Sequence, residues 1–440
     1  MTPQTVARLN ALPDRDPQFA IVGEMDPVVV RFDDEISVFC GRCFHRGALM
    51  SDGLSKTGHH GQVEAVGVLR ADLPDRNNIR ILTAQLVKPP LPDDAEAGTD
   101  VVIGPDAQKP LRLKIPLVVS DMSFGALSEP AGIALARGAE LAGTGICSGE
   151  GGMLPDEQQA NSRYFCELAP GRFGFEWEKL SKAQALGGPG ATTGTGGHLP
   201  GARIRGKIAE VRGLKEGEDA ISPARFPDRT DPAQIRDFPD EVRDRTGSIP
   251  AGYKLSARHI ERDINAALEV GVDYIIPDGR GGGTWAAPIL FRDNIPVPAI
   301  PALARARAHP DRPEHADISL VITGGLRKPA DFIKAMAPGA DAITLSGSAM
   351  QAIWCIAMRA SHTNNCPLGI GTQKPHLVSR IVLEKSARQL ANFFKASTGL
   401  MQVMARACGH DHPDKFCHVD LTTWKKEMAE ISGVTFGGAV

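Results

Sequence analysis

From Leu111 onward the chain repeats one unit: a compact apolar run, a Gly- or Ser-rich loop, then an Ala-rich segment with helical spacing. A strand that alternates with helices in this way is covered on both faces, which points to α/β architecture with a parallel sheet. The runs that read as strands are Pro116 to Ser120, Gly145 to Ser148, Ala220 to Ser222, Gly252 to Leu255, Tyr274 to Pro277, Val297 to Ile300, Leu320 to Thr323 and Ala342 to Leu345. Eight units predict a closed (β/α)8 TIM barrel over residues 111–440, with a helical extension at the C-terminal end. The rival is an open doubly wound sheet, which would usually carry a GxGxxG turn after its first strand. Here the glycines stand at the ends of many strands, and this favours the barrel.

Upstream, residues 1–55 read as a small β-rich segment in which VVV and ISVF are separated by the charged turn Arg31 to Glu35. Residues 56–110 read as a linker and arm leading into the barrel, with PPLPDD inside the Pro- and Asp-rich stretch Lys88 to Asp106. A hydrophobic fraction of 42% and a formal charge of −3 exclude general disorder and any broad electrostatic footprint for nucleic acid or membrane. No apolar run approaches the roughly 20 residues of a bilayer span. The polar start MTPQTVARLNALPDRD is unlike a secretion signal, so a cytoplasmic location is expected. Eight cysteines scattered over such a chain suggest buried thiols, metal ligands or redox groups more than disulfides.

Barrel active sites lie at the C-terminal strand ends, and phosphate commonly binds the loops after the seventh and eighth strands. Those loops are Thr323-Gly324-Gly325 and Ser346-Gly347-Ser348-Ala349, and both read as opening helices whose first amides face an anion. Glycine lets backbone approach a phosphate closely, and a serine hydroxyl adds a donor. Met122-Ser123-Phe124-Gly125, Ser148-Gly149-Glu150-Gly151-Gly152 and Gly281-Gly282-Gly283-Thr284 also follow apolar runs. Small residues there can present backbone groups to the edge of a flat ring. Glu150 and Lys254 are the charged residues at these ends, and they read either as a solvated pair or as groups that hold a carboxylate or move a proton.

Seven motifs in order, MSFGALS, CSGEGG, TGTGGHLPG, YKLSA, GGGTWAAP, TGGL and CPLGIGTQ, resemble the FMN domain of glutamate synthases. The resemblance implies a barrel that binds FMN, with Met122, Ser123, Ser148, Gly282, Gly283, Gly324, Gly325, Ser346, Gly347 and Ser348 at the cofactor and Lys254 and Glu150 in catalytic positions. It also implies reductive amination of 2-oxoglutarate to glutamate. The family loop resembling GQGAKxGxGG has Pro189 here in place of its glutamine and Thr192 in place of its lysine, and Trp285 stands where the family has glycine.

The family's C-x5-C-x4-C run binds a [3Fe-4S] cluster. Here Cys355 and Cys366 hold the outer positions and Ser361 the middle one, which leaves that cluster incomplete. The stretch around Cys43 and His45 resembles the first half of a Rieske domain, whose [2Fe-2S] cluster requires a second C-x-x-H box that does not follow. The histidines and cysteines from Cys408 to His418 read as polar loop or metal ligands.

The expected enzyme is thus a glutamate synthase-like oxidoreductase that takes ammonia or an amine, from solution or from a glutaminase partner, and electrons from a partner donor, in an oligomer. Two alternatives stay open: an N-methylglutamate synthase-like subunit, and a non-catalytic flavin-barrel subunit. Lys254→Ala is expected to leave the fold intact and impair turnover.

Overall fold

The computed structural model describes residues 73–188, 196–229, 231–281, 289–309, 318–358 and 361–439, together with three strands nearer the N terminus. Those three are β1 (Gln18–Phe19), β2 (Pro27–Phe32) and β3 (Glu35–Cys40), an antiparallel sheet in which Phe32 pairs with Glu35.

The arm begins with β4 (Arg80–Ile81) and continues to a hairpin of β5 (Val101–Ile103) and β6 (Leu111–Leu113). Between them the chain is fastened to the end of the helix Leu383–Ala407: Leu91 donates from its amide to the Arg406 carbonyl, and Gln402 donates from Nε2 to the Ala97 carbonyl. Ile103, Leu111 and Leu113 pack against Ala185, Tyr274 and Ala342, each the first residue of a barrel strand. The hairpin therefore closes the N-terminal end of the barrel with apolar side chains.

Eight parallel strands make the barrel. They are β7 (Leu117–Val119), β8 (Ile146–Cys147), β9 (Tyr164–Glu167), β10 (Ala185–Gly187), β13 (Gly252–Ser256), β14 (Tyr274–Asp278), β15 (Ser319–Ile322) and β16 (Ala342–Leu345). Each pairs with its sequence neighbour, β16 returns to β7, and the amide of Leu186 donates to the Pro250 carbonyl to close the ring between β10 and β13. Tyr164–Glu167, Ser319–Ile322 and Ala342–Leu345 are buried at every position, as expected of parallel strands covered on both faces.

Six of the eight expected strands are barrel strands. Ala220 to Ser222 instead contributes β12 (Ala220–Ile221), antiparallel to β11 (His198–Leu199) in a separate hairpin outside the ring. Val297 to Ile300 leads into the helix Ala299–Ala308, because Pro298 at its N-cap favours a helical first turn over a strand interior. Their places in the ring are taken by β9 and β10. A last strand, β17 (Leu421–Thr422), pairs with β4 and ties the C-terminal extension to the arm.

The helix Glu129–Ala142 lies against Leu383–Ala407, and the crossing depends on Gly138. A Cβ at Gly138 would lie 2.7 Å from Leu390 Cβ and 2.8 Å from the Ala387 carbonyl oxygen, so any larger residue pushes the helices apart. Among the described residues no helix is long and apolar enough to cross a membrane.

Candidate active site

The C-terminal strand ends converge on a buried group of charges. Lys254, on β13, is 6% exposed and reaches across the barrel to Asp121, which follows β7. Its Nζ donates to both carboxylate oxygens of Asp121 at 2.8 Å. The second carboxylate, Asp278 at the end of β14, is 0% exposed and lies 2.9 Å from the same nitrogen. That approach is too oblique for a directed hydrogen bond, and both Asp278 oxygens are buried without one.

These contacts set the protonation states. Burial raises the Asp121 carboxyl, but the Lys254 charge and the hydrogen bonds from Nζ and the Ser120 hydroxyl outweigh it and hold the group below the usual range. Burial raises Asp278 more than Lys254 lowers it, with Asp121 adding to the rise. Lys254 is held protonated: burial works against its charge, and Asp121 and Asp278 overcome that. The lysine is a fixed cation, shared between two acids.

Glu167, the last residue of β9, is 8% exposed, and among the described residues its carboxyl takes part in no hydrogen bond. Burial, with the charges of Asp121 and Glu150 acting in the same direction, lifts it well above the carboxylate range against the pull of Lys254. Glu150 is raised too, by burial, with a hydrogen bond from Ser222 and the charge of Arg212 opposing, and its Oε1 is a buried oxygen without a partner. The mouth therefore holds two carboxylate–lysine contacts and two carboxyls, Glu167 and Glu150, whose pKa values burial raises.

The expected site residues fall as follows. Lys254 and Glu150 lie at the same end of the barrel but do not pair with each other, and Glu167 responds to the charge of both. Met122 is buried and Ser123 half-buried beside Gly149, whose left-handed φ of 66° brings its Cα within van der Waals range of the Ser123 backbone. The Ser148 hydroxyl donates to the Gly149 carbonyl and accepts from the Glu167 amide, so it locks two strand ends together. Ser346 and Gly347 open the helix Gly347–Ala352 directly. Thr323-Gly324-Gly325 does not open a helix as expected: the next one, Pro329–Met336, starts after Lys328, because Gly324 and Gly325 at φ 116° and 74° turn the chain away from helical geometry. The Ser348 hydroxyl is taken by the Leu326 carbonyl, which joins these two loops. Gly282, Gly283, Cys43 and His45 lie outside the described residues.

Asp121, Asp278 and Glu167 were missed by sequence reasoning. Asp121 and Asp278 each directly follow or end an apolar run that was read as a strand, so the signal was present. Glu167 ends a strand that was not read at all.

A phosphate-bearing cofactor fits the loops after β14, β15 and β16. A Cβ at Gly324 would lie 2.5 Å from the Gly279 carbonyl oxygen, whereas Gly347 has open space where a Cβ would stand. Arg280, which follows β14, keeps a buried Nε donor without a partner beside them.

An iron–sulfur cluster does not fit. Cys366 is near enough to Cys355 for its charge to add to the burial that pushes the Cys355 thiol up to about 11. The third position is Ser361, whose carbonyl accepts from Arg203 and against which Gly371 packs. Among the described residues no three His, Cys, Asp or Glu side chains gather as a metal site, Cys408 to His418 included. Two thiols and a hydroxyl lack the third thiolate such a cluster takes.

Residues 59–411 match the conserved region of glutamate synthase. The chain belongs to the glutamate synthase family. A glutamate synthase large subunit-like protein of Rhizobium meliloti is 34% identical over 389 residues, covering 83% of this chain and 88% of that one. An archaeal-type glutamate synthase (NADPH) of Thermotoga maritima is 35% identical over 311 residues, covering 69% of this chain and 61% of its own length. The archaeal glutamate synthase (NADPH) of Methanocaldococcus jannaschii is 36% identical over 313 residues, 68% of this chain and 60% of that protein. This member of the family thus spans about six tenths of those archaeal-type relatives. Among solved structures, the monotopic membrane protein (S)-mandelate dehydrogenase is similar with 14% identity and a TM-score of 0.49, over 79% of this chain and 88% of that one.

Proposed function

We propose that this glutamate synthase family barrel binds FMN at its C-terminal mouth and reduces an imine formed from 2-oxoglutarate and ammonia or an amine, giving glutamate or an N-substituted glutamate. In this reading residues 111–440 form the catalytic barrel, residues 56–110 the arm, and residues 1–55 a separate β segment whose likeness to half a Rieske domain carries no cluster chemistry. The observation that carries the proposal is the strand-end geometry: a glycine cradle with an unsatisfied Arg280 donor on one side, and on the other a lysine fixed by two acids at the same mouth as the buried carboxyls of Glu167 and Glu150.

Gly324, Gly325, Ser346 and Gly347 would hold the phosphate with Arg280, and Met122, Ser123, Ser148, Gly282 and Gly283 would lie along the ring. Bound FMN supplies a hydride. Lys254 serves as a fixed positive charge that holds Asp121 and Asp278 in place, since the two acids keep it protonated and it cannot act as a base at neutral pH. Glu150, buried with a free Oε1, supplies or accepts the proton that imine formation and reduction require. Burial at the mouth excludes water, which would otherwise hydrolyse the imine.

The test is direct. Purified protein is expected to carry releasable FMN and to form glutamate from 2-oxoglutarate and ammonium, or an N-alkylglutamate from an alkylamine, with a chemical reductant as electron source. A protein that takes up no FMN from excess would refute the reading and favour a structural subunit.

A further inference from the structure

A cavity runs from inside the barrel toward its mouth, and it has two ends of opposite character. Val118, Phe165, Ile276 and Val321 form apolar walls, while Asp121, Glu167 and Lys254 line the other end. Along β7 and β9, Val118 and Phe165 precede Asp121 and Glu167, so the apolar end is deeper and the acidic end is nearer the mouth. Glu167 is more than nine-tenths buried, lines the cavity and has no hydrogen-bond partner for its carboxyl among the described residues. Its oxygens are not among the fully buried unpartnered atoms, so they keep access to the cavity, where a ligand can supply the donor they lack.

The charge balance selects the ligand. Lys254 is already shared by Asp121 and Asp278, so the carboxylate of a 2-oxo acid reaching this end would meet acids, with no free cation among the described residues that line it. The loop position where the family has lysine is Thr192, which removes another positive charge. A cation with a short apolar tail meets both needs.

We infer that this cavity seats the amine co-substrate as a small primary alkylammonium ion, with its nitrogen on Glu167 and its alkyl group against Phe165, Val118 and Val321. The inference rests on the reductive amination proposed above and names its amine. Glu167 then does two things in turn. As R-NH3+ enters, the carboxyl loses its own proton to solvent and becomes the carboxylate that holds the cation. That carboxylate next takes one N-H proton from the nitrogen, returns to COOH and leaves R-NH2 with a free electron pair. The net change is one ammonium ion to one amine and one proton. Besides Asp121, Lys254 and Asp278, the titratable groups around Glu167 among the described residues are Glu150, Cys147, Cys166 and Tyr274. Burial first, with the charges of Asp121 and Glu150 acting in the same direction, favours the protonated Glu167 until a cation arrives, and the burial-raised Cys147, Cys166 and Tyr274 stay neutral.

The experiment is calorimetric titration of the purified protein with methylammonium chloride, against sodium chloride of equal ionic strength, in two buffers of different ionisation heat. Saturable binding is expected, with about one proton released per methylammonium and affinity rising about fourfold for each methylene the walls still cover. Glu167→Gln is expected to abolish proton release and weaken binding tenfold or more. In case that variant misfolds, transferred NOEs in the wild-type protein are expected to place the methyl group of 13C-methylammonium against the Phe165 ring. Absence of saturable binding, proton release that persists in Glu167→Gln, or equal binding of potassium and methylammonium would overturn the inference. Glutamate formation from ammonium without saturable methylammonium binding defeats the seat and leaves the reductive amination standing. Methylammonium binding through Glu167 in a protein that takes up no FMN does the reverse.

Discussion

Lys254 Nζ lies 2.8 Å from each carboxylate oxygen of Asp121, on the opposite side of the barrel mouth, and the Ser120 hydroxyl donates to the same carboxylate. Removing one member leaves buried charge behind. Lys254→Ala is therefore expected to destabilise the fold by about 3–5 kcal/mol as well as to impair turnover, which adds a stability cost to what the sequence led us to expect. Lys254→Met combined with Asp121→Asn should be milder than Lys254→Met alone. Urea unfolding of the two single variants and the double variant measures the coupling.

Glu157 is buried against the Tyr164 hydroxyl, which donates to it at 2.7 Å, and burial lifts its pKa to about 8. The unfolded chain loses this proton near pH 4.5 while the folded protein keeps it to about 8, so stability falls as pH rises across that window. Glu157→Gln should raise Tm relative to wild type at pH 8 and change it little at pH 5, by differential scanning calorimetry.

Arg280 offers its buried Nε to no described partner. If it holds the cofactor phosphate, Arg280→Ala should weaken FMN retention about 10-fold or more, the worth of a hydrogen bond to a charged group. Recovery of flavin fluorescence on dilution reads this without any turnover.

Glu150 is raised above the ordinary carboxyl range by burial. A Glu150 that donates a proton makes kcat/KM fall as pH rises through its raised pKa, and Glu150→Gln should lower kcat/KM and flatten that limb. An unchanged profile in the variant would remove Glu150 from the chemistry.

Gly138 leaves no room for a Cβ where Glu129–Ala142 meets Leu383–Ala407. Gly138→Val should cost about 1–3 kcal/mol through overpacking, visible as a shift in the urea midpoint, with the flavin content of folded protein unchanged.

The barrel was legible because long apolar runs ending in glycine are a strong signal, and six strands fell where that signal lay. Tyr164–Glu167 carried a weaker one, four residues with a thiol and an acid at the end where alternation would show, so the strand bearing Glu167 went unread. Val297 to Ile300 failed for the opposite reason. Its β-branched residues look extended, but Pro298 caps a helix. Glu150 and Lys254 were legible as charges at strand ends, whereas their partners were not, because pairing across a barrel is set by closure and not by spacing along the chain.

That closure has a consequence during synthesis. The strand that completes the ring against β7 is Ala342–Leu345, and the helix that braces its outer wall is Leu383–Ala407, so the first barrel strand leaves the ribosome with one edge bare and waits for nearly the whole chain to emerge. Nascent chains arrested before Ala342 should be protease-sensitive and should recruit holdase chaperones, and the protein's yield in a cell will depend on elongation speed through its second half as much as on its final stability.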